Sequence, residues 1–236
     1  MKPLGHKAYG SIPHLPGSKR GPADKGLTAH QASILTHKPR RGDRILVSEK
    51  LDGSNVAVAK ISGQIVPLLR AGYRAESSGQ EQHAMFASYV MQNWETFDAL
   101  LRDGERVCGE WLAMAHAIRY DLTGRTPFVA FDLMRGHDRA GYDTFRQRLR
   151  AAEPTVAIAP LLHDGQPIRT TEAMRLLGPG HYGAQDAPEG VVYRVERVGV
   201  PDFLGKYVRH EFQPGRFFAA AGEEPVWNWP PRPRAV

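Results

Sequence analysis

Short apolar segments bounded by polar residues and glycines dominate the chain and predict β-strands. The first three segments cover residues 45–47, 56–60 and 65–69, and residues 51–55 lie between the first two as a polar turn. The same pattern predicts five further strands, at residues 106–111, 128–134, 155–162, 190–195 and 203–208. Several antiparallel strands with helices between them indicate the α+β fold class.

Four other segments are expected to be helices. Asp24 is a suitable N-cap for a helix over residues 25–35. A longer helix is predicted from residue 80 to residue 102, followed by Gly104, and its apolar face is expected to pack in the core. That face carries Phe86, Val90, Trp94, Phe97 and Leu101 at three- and four-residue spacing. Shorter helices are expected near residues 143–152 and 171–177.

Both ends of the chain are predicted to lack regular structure. Residues 1–24 are rich in glycine and proline and are expected to form an extended, ordered loop. The last 27 residues, 210–236, contain several prolines and are too few for another domain. We therefore expect one domain over residues 1–209, followed by a tail without an OB-fold or a helical appendage.

The composition is typical of a soluble intracellular domain. Hydrophobic residues make up 42% of the 236 residues, which is enough for a sizeable core. No apolar run approaches the roughly 20 residues that span a bilayer, and residues 1–10 lack the apolar stretch of a signal peptide. The single cysteine, Cys108, suits the reducing cytoplasm and lies in an apolar strand, where we expect it to be core rather than a nucleophile. A cytoplasmic location without membrane contact is therefore expected.

The net charge is +6, with a pI near 9.5, which favours a polyanionic partner such as a nucleic acid. Basic residues cluster at Lys38, Arg40, Arg41 and Arg44, and again at Arg146, Arg148 and Arg150. The simplest interpretation of each cluster is a solvated face.

The segment with the clearest chemical meaning is Lys50-Leu51-Asp52-Gly53, preceded by Glu49. By itself this segment is compatible with an ordinary β-turn. A lysine amine attacks phosphorus only when its pKa is lowered, and Glu49 and Asp52 would raise it. Other cations must then approach Lys50, and the candidates are Arg70, Lys206 and a bound divalent metal.

Further segments follow in an order that resembles the covalent lysine nucleotidyltransferase superfamily of ligases and capping enzymes. Within it, the nick-sealing RNA ligases look most similar. The matching segments include Lys50–Asn55, Arg70, Gly109-Glu110-Trp111, Phe128–Asp132, Glu189–Val192 and Lys206–Arg209, and the resemblance covers residues 9–209. It implies an α+β nucleotidyltransferase domain, an ATP-grasp-like ligase fold with antiparallel sheets and flanking helices around an ATP cleft.

The resemblance also implies a role for each matching residue. Lys50 would attack the α-phosphate of ATP and become adenylylated, and Lys206 would neutralise that phosphate. Glu189 would help to hold Mg²⁺ or Mn²⁺, for which carboxylate oxygens are suitable ligands. The nucleotide-binding set would also include Glu49, Asn55, Arg70, Glu110 and Phe131. Within that set, Phe131 would stack on adenine, Glu110 would accept from the ribose hydroxyls, and Asn55 and Arg70 would hold ribose or phosphate oxygens.

The resemblance bears on three further parts of the sequence. The last motif usually carries two lysines one residue apart, whereas Leu204 and Val208 stand at those distances from Lys206; either one lysine is missing or Arg209 partly replaces it. Asp52 would lie near the activated RNA end and orient a 3′-hydroxyl or a metal. Tyr9–His14 resembles the segment before the lysine motif in small RNA ligases. His14 is expected to be a structural loop histidine, and the alternative is that it reaches the nucleotide.

The resulting hypothesis is an ATP-dependent RNA ligase. AMP would pass from Lys50 to an RNA 5′-phosphate, and a 3′-hydroxyl, for example at a nick in a duplex, would then displace it. The alternatives are a DNA ligase-like nick-sealing enzyme and a basic nucleic-acid-binding module without activity. The sequence contains no P-loop and no histidine–cysteine zinc motif. Two ways of completing the site stay open: the tail closes it, or a partner protein supplies the appended domain.

Overall fold

Two antiparallel sheets form the framework of the computed structural model, which describes residues 1–220 and 223–230. The first sheet has the order β7-β1-β8-β9 and contains β1 (Asp43–Lys50), β7 (Leu161–Gly165), β8 (Gly190–Arg197) and β9 (Val200–Val208). The second sheet has the order β3-β2-β4-β5-β6 and contains β2 (Ser54–Ile61), β3 (Gln64–Leu69), β4 (Glu105–Trp111), β5 (Phe128–Arg135) and β6 (Asp138–Arg139). The predicted α+β fold class is confirmed.

One strand prediction is wrong. Residues 155–160 do not form a strand, and β7 begins only at Leu161. Pro154 and Pro160 bracket this segment and lack N–H groups for a ladder. The segment instead runs beside β5, where Ala130 exchanges backbone hydrogen bonds with Ala157 and Ala159. The two-residue strand β6 is too short for the apolar pattern to reveal it.

The polar turn after Lys50 connects the two sheets. Strand β1 ends at Lys50 in the first sheet, and β2 begins at Ser54 in the second sheet. Leu51 is buried and Gly53 lies against β4, where a Cβ atom would be 2.5 Å from the carbonyl oxygen of Trp111. The segment from Lys50 to Asn55 therefore crosses between the sheets rather than forming the tip of a hairpin.

Helix α1 (Ala29–Thr36) begins later than predicted. Thr28 and Gln31 form a capping box at its N-terminus, so the prediction of Asp24 as N-cap is wrong. The Asp24 carboxylate instead accepts a hydrogen bond from the N–H of Gly21 at 2.9 Å. The predicted helices near residues 143–152 and 171–177 are present as α4 (Tyr142–Arg150) and α5 (Thr170–Leu177).

The long helix predicted over residues 80–102 is two helices, α2 (Glu81–Gln92) and α3 (Trp94–Leu100). At Asn93 between them, the backbone and side-chain N–H groups donate to carbonyl oxygens of the last turn of α2, and this ends the helix. Phe86 and Phe97 are buried as predicted, but Trp94 is 49% exposed because the break rotates it away from the core.

The helices cover the two sheets separately. Helices α2, α3 and α4 pack on the second sheet, in a cluster that includes Phe86, Trp111, Phe128, Phe145 and Leu149. Helices α1 and α5 pack on the first sheet through residues such as Leu35, Leu177 and Val195. With these faces covered, side chains of both sheets are left to line a cavity between them.

Several arginines of the predicted basic clusters are paired with acidic residues. Arg44 contacts Asp143 and Asp164, each at 2.6 Å, and Arg148 contacts Glu105 at 2.8 Å. Part of the positive charge is therefore neutralised within the fold.

The predicted tail, residues 210–236, is described at 210–220 and 223–230, and the remainder lies outside the described residues. Phe212 is buried, and Trp229 packs edge-on against Trp111 at 5.7 Å between ring centroids. Asn228 donates to the carbonyl oxygen of Leu112 at 2.8 Å. These contacts hold the described part of the tail against the second sheet. Over residues 1–220 and 223–230, no helix has the length and apolar character needed to cross a membrane.

Candidate active site

A cavity of about 820 Å³ lies between the sheets and contains every residue that the sequence assigned to the site. Its walls include Glu49, Lys50, Asp52, Asn55, Arg70, Glu110, Phe131, Glu189 and Lys206. Residues that are as far apart in sequence as Lys50 and Lys206 meet there because β1, β8 and β9 are neighbours in the first sheet.

Lys50 is placed by the last residue pair of β1. It pairs with Gly190, so the preceding residue Glu189 lies beside it, and Lys50 Nζ donates to Glu189 Oε2 at 2.6 Å. A side chain at position 190 is not tolerated by the fold, since its Cβ would lie 1.9 Å from the carbonyl oxygen of Tyr207. Burial lowers the pKa of Lys50, but the carboxylates of Glu189 and Glu110 outweigh it and raise this pKa.

Lys206 is a second amine in the same cavity. It lies on β9 opposite Val192. Burial, followed by repulsion from Lys50, lowers the pKa of Lys206. Arg209 points elsewhere, because its guanidinium donates to the carbonyl oxygens of Pro188 and Ala187 and does not line the cavity. No residue of β9 therefore provides the second lysine of the motif.

Asp52 and Glu110 hold the crossing segment in place. Asp52 Oδ2 accepts hydrogen bonds from the N–H groups of Ala117 and Ile118, at 2.7 and 3.1 Å. Glu110 Oε1 accepts from the N–H of Gly53 at 3.1 Å. Burial raises the pKa of Asp52, and burial raises the pKa of Glu110 to about 8. Both carboxyl groups therefore shape the loop as well as the cavity wall.

A β-bulge directs Phe131 into the cavity. Cys108 pairs with Asp132 and Gly109 pairs with Ala130, so Phe131 is an extra residue on β5. Its ring lies edge-on to Tyr9, with 4.9 Å between centroids. A half-buried ring held at a cavity wall is suited to stacking on a planar base.

Two polar groups in the wall have unused hydrogen-bonding capacity. Asn55 Oδ1 and Glu49 Oε1 are buried, and neither has a hydrogen-bond partner among the described residues. The other oxygen of Glu49, Oε2, accepts from the N–H of His181 at 2.8 Å, and burial raises the pKa of this carboxyl group. Unpaired buried acceptors are costly, so their presence in the cavity wall indicates a ligand with donor groups. Arg70 lies at the exposed edge, where it donates to Ser11 Oγ at 2.9 Å.

Comparison with known protein families gives a match over most of the chain. The family model described as RNA ligase matches residues 43–208, which include β1, β9 and every strand between them. The chain belongs to the RNA ligase family.

Solved RNA ligases share its fold. The RNA ligase of Naegleria gruberi with PPi is 20% identical, with a TM-score of 0.53 over 71% of this chain and 50% of that one. An archaeal ATP-dependent RNA ligase is 20% identical, with a TM-score of 0.55 over 85% of this chain and 48% of that one. A Naegleria gruberi variant with ATP and Mn is 16% identical, with a TM-score of 0.55 over 86% and 61% of the two chains. The chain thus spans about half to three-fifths of the length of these ligases. No curated protein matches it in sequence.

Two histidines of the cavity wall were not identified from the sequence of this RNA ligase family member. His83 Nε2 lies 3.0 Å from Ser54 Oγ, and His83 Nδ1 lies 2.8 Å from Ser78 Oγ. His116 lies nearby, and burial lowers its pKa to about 4. His83 reaches the site because α2 packs there, and His116 reaches it because the tail packs on the loop that carries it. Neither histidine belongs to a motif that the sequence reveals. His14, expected to be structural, also lines the cavity.

The metal assignment depends on Glu189. Among the described residues, no group of three or more histidine, cysteine, aspartate or glutamate side chains is arranged to hold a metal ion. Glu189 presents hard carboxylate oxygens in the cavity, beside Lys50. Mg²⁺ is commonly held by one or two carboxylates together with substrate phosphates and water. The residues therefore fit a cation that is held by Glu189 together with ligands from a bound molecule and water.

Proposed function

We propose that this protein is an ATP-dependent RNA ligase that forms a lysyl-AMP intermediate at Lys50. The observation that carries the proposal is the meeting of Lys50, Glu189 and Lys206 in one nucleotide-sized cavity, with Phe131 at its wall. Membership of the RNA ligase family supports the reaction class. The unpaired acceptors of Asn55 and Glu49 support a ligand that donates hydrogen bonds, as ribose hydroxyls and the adenine amino group do.

In the first step, the Lys50 amine attacks the α-phosphorus of ATP. The new bond is Nζ–P, the bond that breaks joins the α-phosphorus to its bridging oxygen, and pyrophosphate leaves. Glu189 lies in position to take the amine proton, since it already accepts a hydrogen bond from Lys50 Nζ at 2.6 Å. Lys206 provides a positive charge for the phosphate oxygens. When bound, Mg²⁺ or Mn²⁺ would neutralise phosphate charge, with Glu189 as its ligand.

In the second step, an oxygen of an RNA 5′-phosphate attacks the same phosphorus, the Nζ–P bond breaks, and the leaving amine regains a proton, which Glu189 is positioned to return. In the third step, a 3′-hydroxyl attacks the phosphorus of the activated 5′-phosphate and loses its proton, and AMP leaves with the electrons of the broken P–O bond. The second oxygen of Asp52, Oδ1, belongs to a carboxyl group whose Oδ2 is already fixed by two N–H groups. It is the atom that we assign to orienting the 3′-hydroxyl.

Replacing Glu189 with glutamine tests the coupling between this carboxylate and Lys50. Glu189 raises the pKa of Lys50, so its neutralisation should lower that pKa and enlarge the neutral fraction of the amine at a given pH. The rise of the adenylylation rate with pH should therefore move to lower pH. The maximal rate should fall about 10- to 100-fold, the range typical when support of a metal site is lost. Single-turnover labelling across neutral and alkaline pH measures both effects.

Glu76→Gln provides the matched control, because Glu76 forms an exposed pair with Arg74 outside the cavity. Its pH profile should coincide with that of the wild type. A Glu189→Gln profile at the wild-type position would contradict the electrostatic coupling.

The joining activity is tested with matched nicked duplexes made of RNA or DNA, each with a 5′-phosphate and a 3′-hydroxyl. Sealing of RNA ends with ATP and Mg²⁺ or Mn²⁺ is the expected result. Sealing of all-DNA nicks alone would favour the DNA ligase alternative. RNA binding without protein labelling from ATP would favour the non-catalytic module.

A further inference from the structure

The loop between β4 and β5, residues 112–127, holds Asp52 through three hydrogen bonds. Asp52 Oδ2 accepts from the N–H groups of Ala117 and Ile118, at 2.7 and 3.1 Å. The N–H of Asp52 donates to Tyr120 Oη at 2.9 Å. These three partners are all buried, so they have fixed places in the fold. The position of the remaining oxygen, Oδ1, therefore depends on where this loop lies.

One side chain of the tail, that of Asn228, joins the two ends of this part of the loop. Asn228 Nδ2 donates to the carbonyl oxygen of Leu112 at 2.8 Å, and Asn228 Oδ1 accepts from the N–H of Tyr120 at 3.0 Å. Leu112 directly follows β4, and Tyr120 is the residue whose hydroxyl holds Asp52. Asn228 thus fixes both ends of the segment that carries the two N–H donors to the Asp52 carboxylate.

The backbone of the tail follows the same loop. The carbonyl oxygen of Ala113 accepts from the N–H of Asn228 at 2.9 Å, and the N–H of Ala115 donates to the carbonyl oxygen of Val226 at 2.9 Å. Ala113 and Ala115 are fully buried, and buried backbone groups without a partner are costly. The tail therefore stabilises the conformation in which the loop holds Asp52.

The loop is also held from its other side. The N–H of Asp121 donates to the carbonyl oxygen of Gly183 at 2.7 Å, and the N–H of Arg119 donates to Asp186 Oδ2 at 3.0 Å. Loss of the Asn228 side chain should therefore displace the loop slightly and leave its general course unchanged.

We propose that Asn228 is a positioning residue for RNA joining, which acts through the loop to aim Asp52 at the 3′-hydroxyl. This inference rests on the proposed function. In the third step, the 3′-oxygen forms a bond to the phosphorus of the activated end, and its proton passes to water. The P–O bond to AMP breaks, and AMP keeps the electrons. Asn228 does not line the cavity, so it influences this step through Asp52 and not by contact with the RNA.

The first experiment compares the joining step with the labelling step in Asn228→Ala. The maximal single-turnover rate of joining pre-adenylylated RNA should fall about 10- to 100-fold, since small misplacements of an orienting group have effects of this size. The RNA concentration that gives half of this rate should stay within about twofold of the wild-type value, because binding contacts are retained. Labelling of Lys50 with ATP should also stay within about twofold, and this shows that the variant is folded.

A double-mutant cycle shows whether Asn228 acts through Asp52. In the Asp52→Ala background, Asn228→Ala should change the joining rate by less than about twofold, because the group that it positions is absent. A residue that only stabilises the fold would slow joining by the same factor in both backgrounds. Asn228→Asp retains an acceptor for the N–H of Tyr120 and should restore part of the rate.

Asn93→Ala is the matched control. Asn93 also donates a side-chain amide hydrogen to a backbone carbonyl oxygen, that of Tyr89 at 2.8 Å, but it does not line the cavity or contact the loop. This variant should change neither joining nor labelling by more than about twofold.

Three outcomes would overturn the inference: joining by Asn228→Ala within twofold of the wild type, equal slowing of joining and labelling, or the same loss of joining in the Asp52→Ala background. If the wild-type protein is not labelled by ATP, or if Asp52→Ala joins RNA as fast as the wild type, the proposed function fails instead. The two failures are therefore distinguishable.

Discussion

Replacing Lys50 with methionine is expected to abolish covalent attachment of AMP while preserving the joining of pre-adenylylated RNA. The substitution removes the amine that forms the Nζ–P bond in the proposed first step. The third step does not use the amine as a nucleophile, so it should remain measurable with RNA that already carries AMP. Labelling with α-labelled ATP followed by denaturing electrophoresis measures the first effect, and extension of the RNA strand measures the second.

Lys60→Met is the matched control for this variant. Lys60 pairs with Asp98 at 2.7 Å on the far side of the second sheet and does not line the cavity. It should be labelled like the wild type. Labelling that persists in Lys50→Met would mean that another side chain is the nucleophile, and the assignment of Lys50 would be wrong.

The largest expected effect on stability belongs to Asp132. This fully buried carboxylate accepts from Tyr9 and Arg139, each at 2.8 Å, and from Arg194 at 2.7 Å. Arg194 in turn donates to the buried Glu196 at 2.7 Å. Because Asp132 lies on β5 and Arg194 on β8, the network ties the two sheets together at the cavity wall, which Arg194 lines.

Asp132→Ala should reduce the free energy of unfolding by about 3–5 kcal/mol, since it leaves Arg139 without a carboxylate partner and the buried Arg194 with Glu196 alone. Asp98→Ala breaks the partly exposed pair with Lys60 and should cost about 0–1 kcal/mol. Urea unfolding of both variants at neutral pH gives the comparison. Equal losses in the two variants would show that the buried network contributes no more than a surface pair.

Local patterns were sufficient to locate most elements, and distant pairings were not. The strands around Val58, Val107 and Val195 were recognisable because short apolar runs with polar boundaries are typical of strands. The division into two sheets was not predictable, because it depends on pairs such as Lys50 with Gly190, far apart in sequence. The break at Asn93 was also hidden, since the apolar spacing continues through it and only the hydrogen bonds of its side chain end the helix.

The candidate site shows the same contrast between what local motifs reveal and what distant pairings decide. The order of the motifs brought Lys50, Glu110, Phe131, Glu189 and Lys206 to attention, and all of them line one cavity. The charge balance around Lys50 was less accessible to sequence reasoning. Its sequence neighbour Glu49 binds the backbone of His181, whereas Glu189 and Glu110 act most strongly on the pKa of the amine.

Residues without a motif were missed for a physical reason. His83 comes to the cavity on the first turn of α2, and His116 lies on the loop after β4 that the tail covers through Phe218. In each case the position is set by contacts between distant segments, and a single sequence does not contain that information in local form.

Identifying the residue that carries AMP tests the central claim most directly. The wild-type protein would be incubated with ATP and Mg²⁺ or Mn²⁺, digested under conditions that preserve the phosphoramide bond, and analysed by tandem mass spectrometry. We predict that AMP is attached to the peptide containing Lys50, at Lys50 itself, and that GTP gives no such adduct. Attachment to any other residue, or an adduct formed from GTP and not from ATP, would contradict the proposed mechanism.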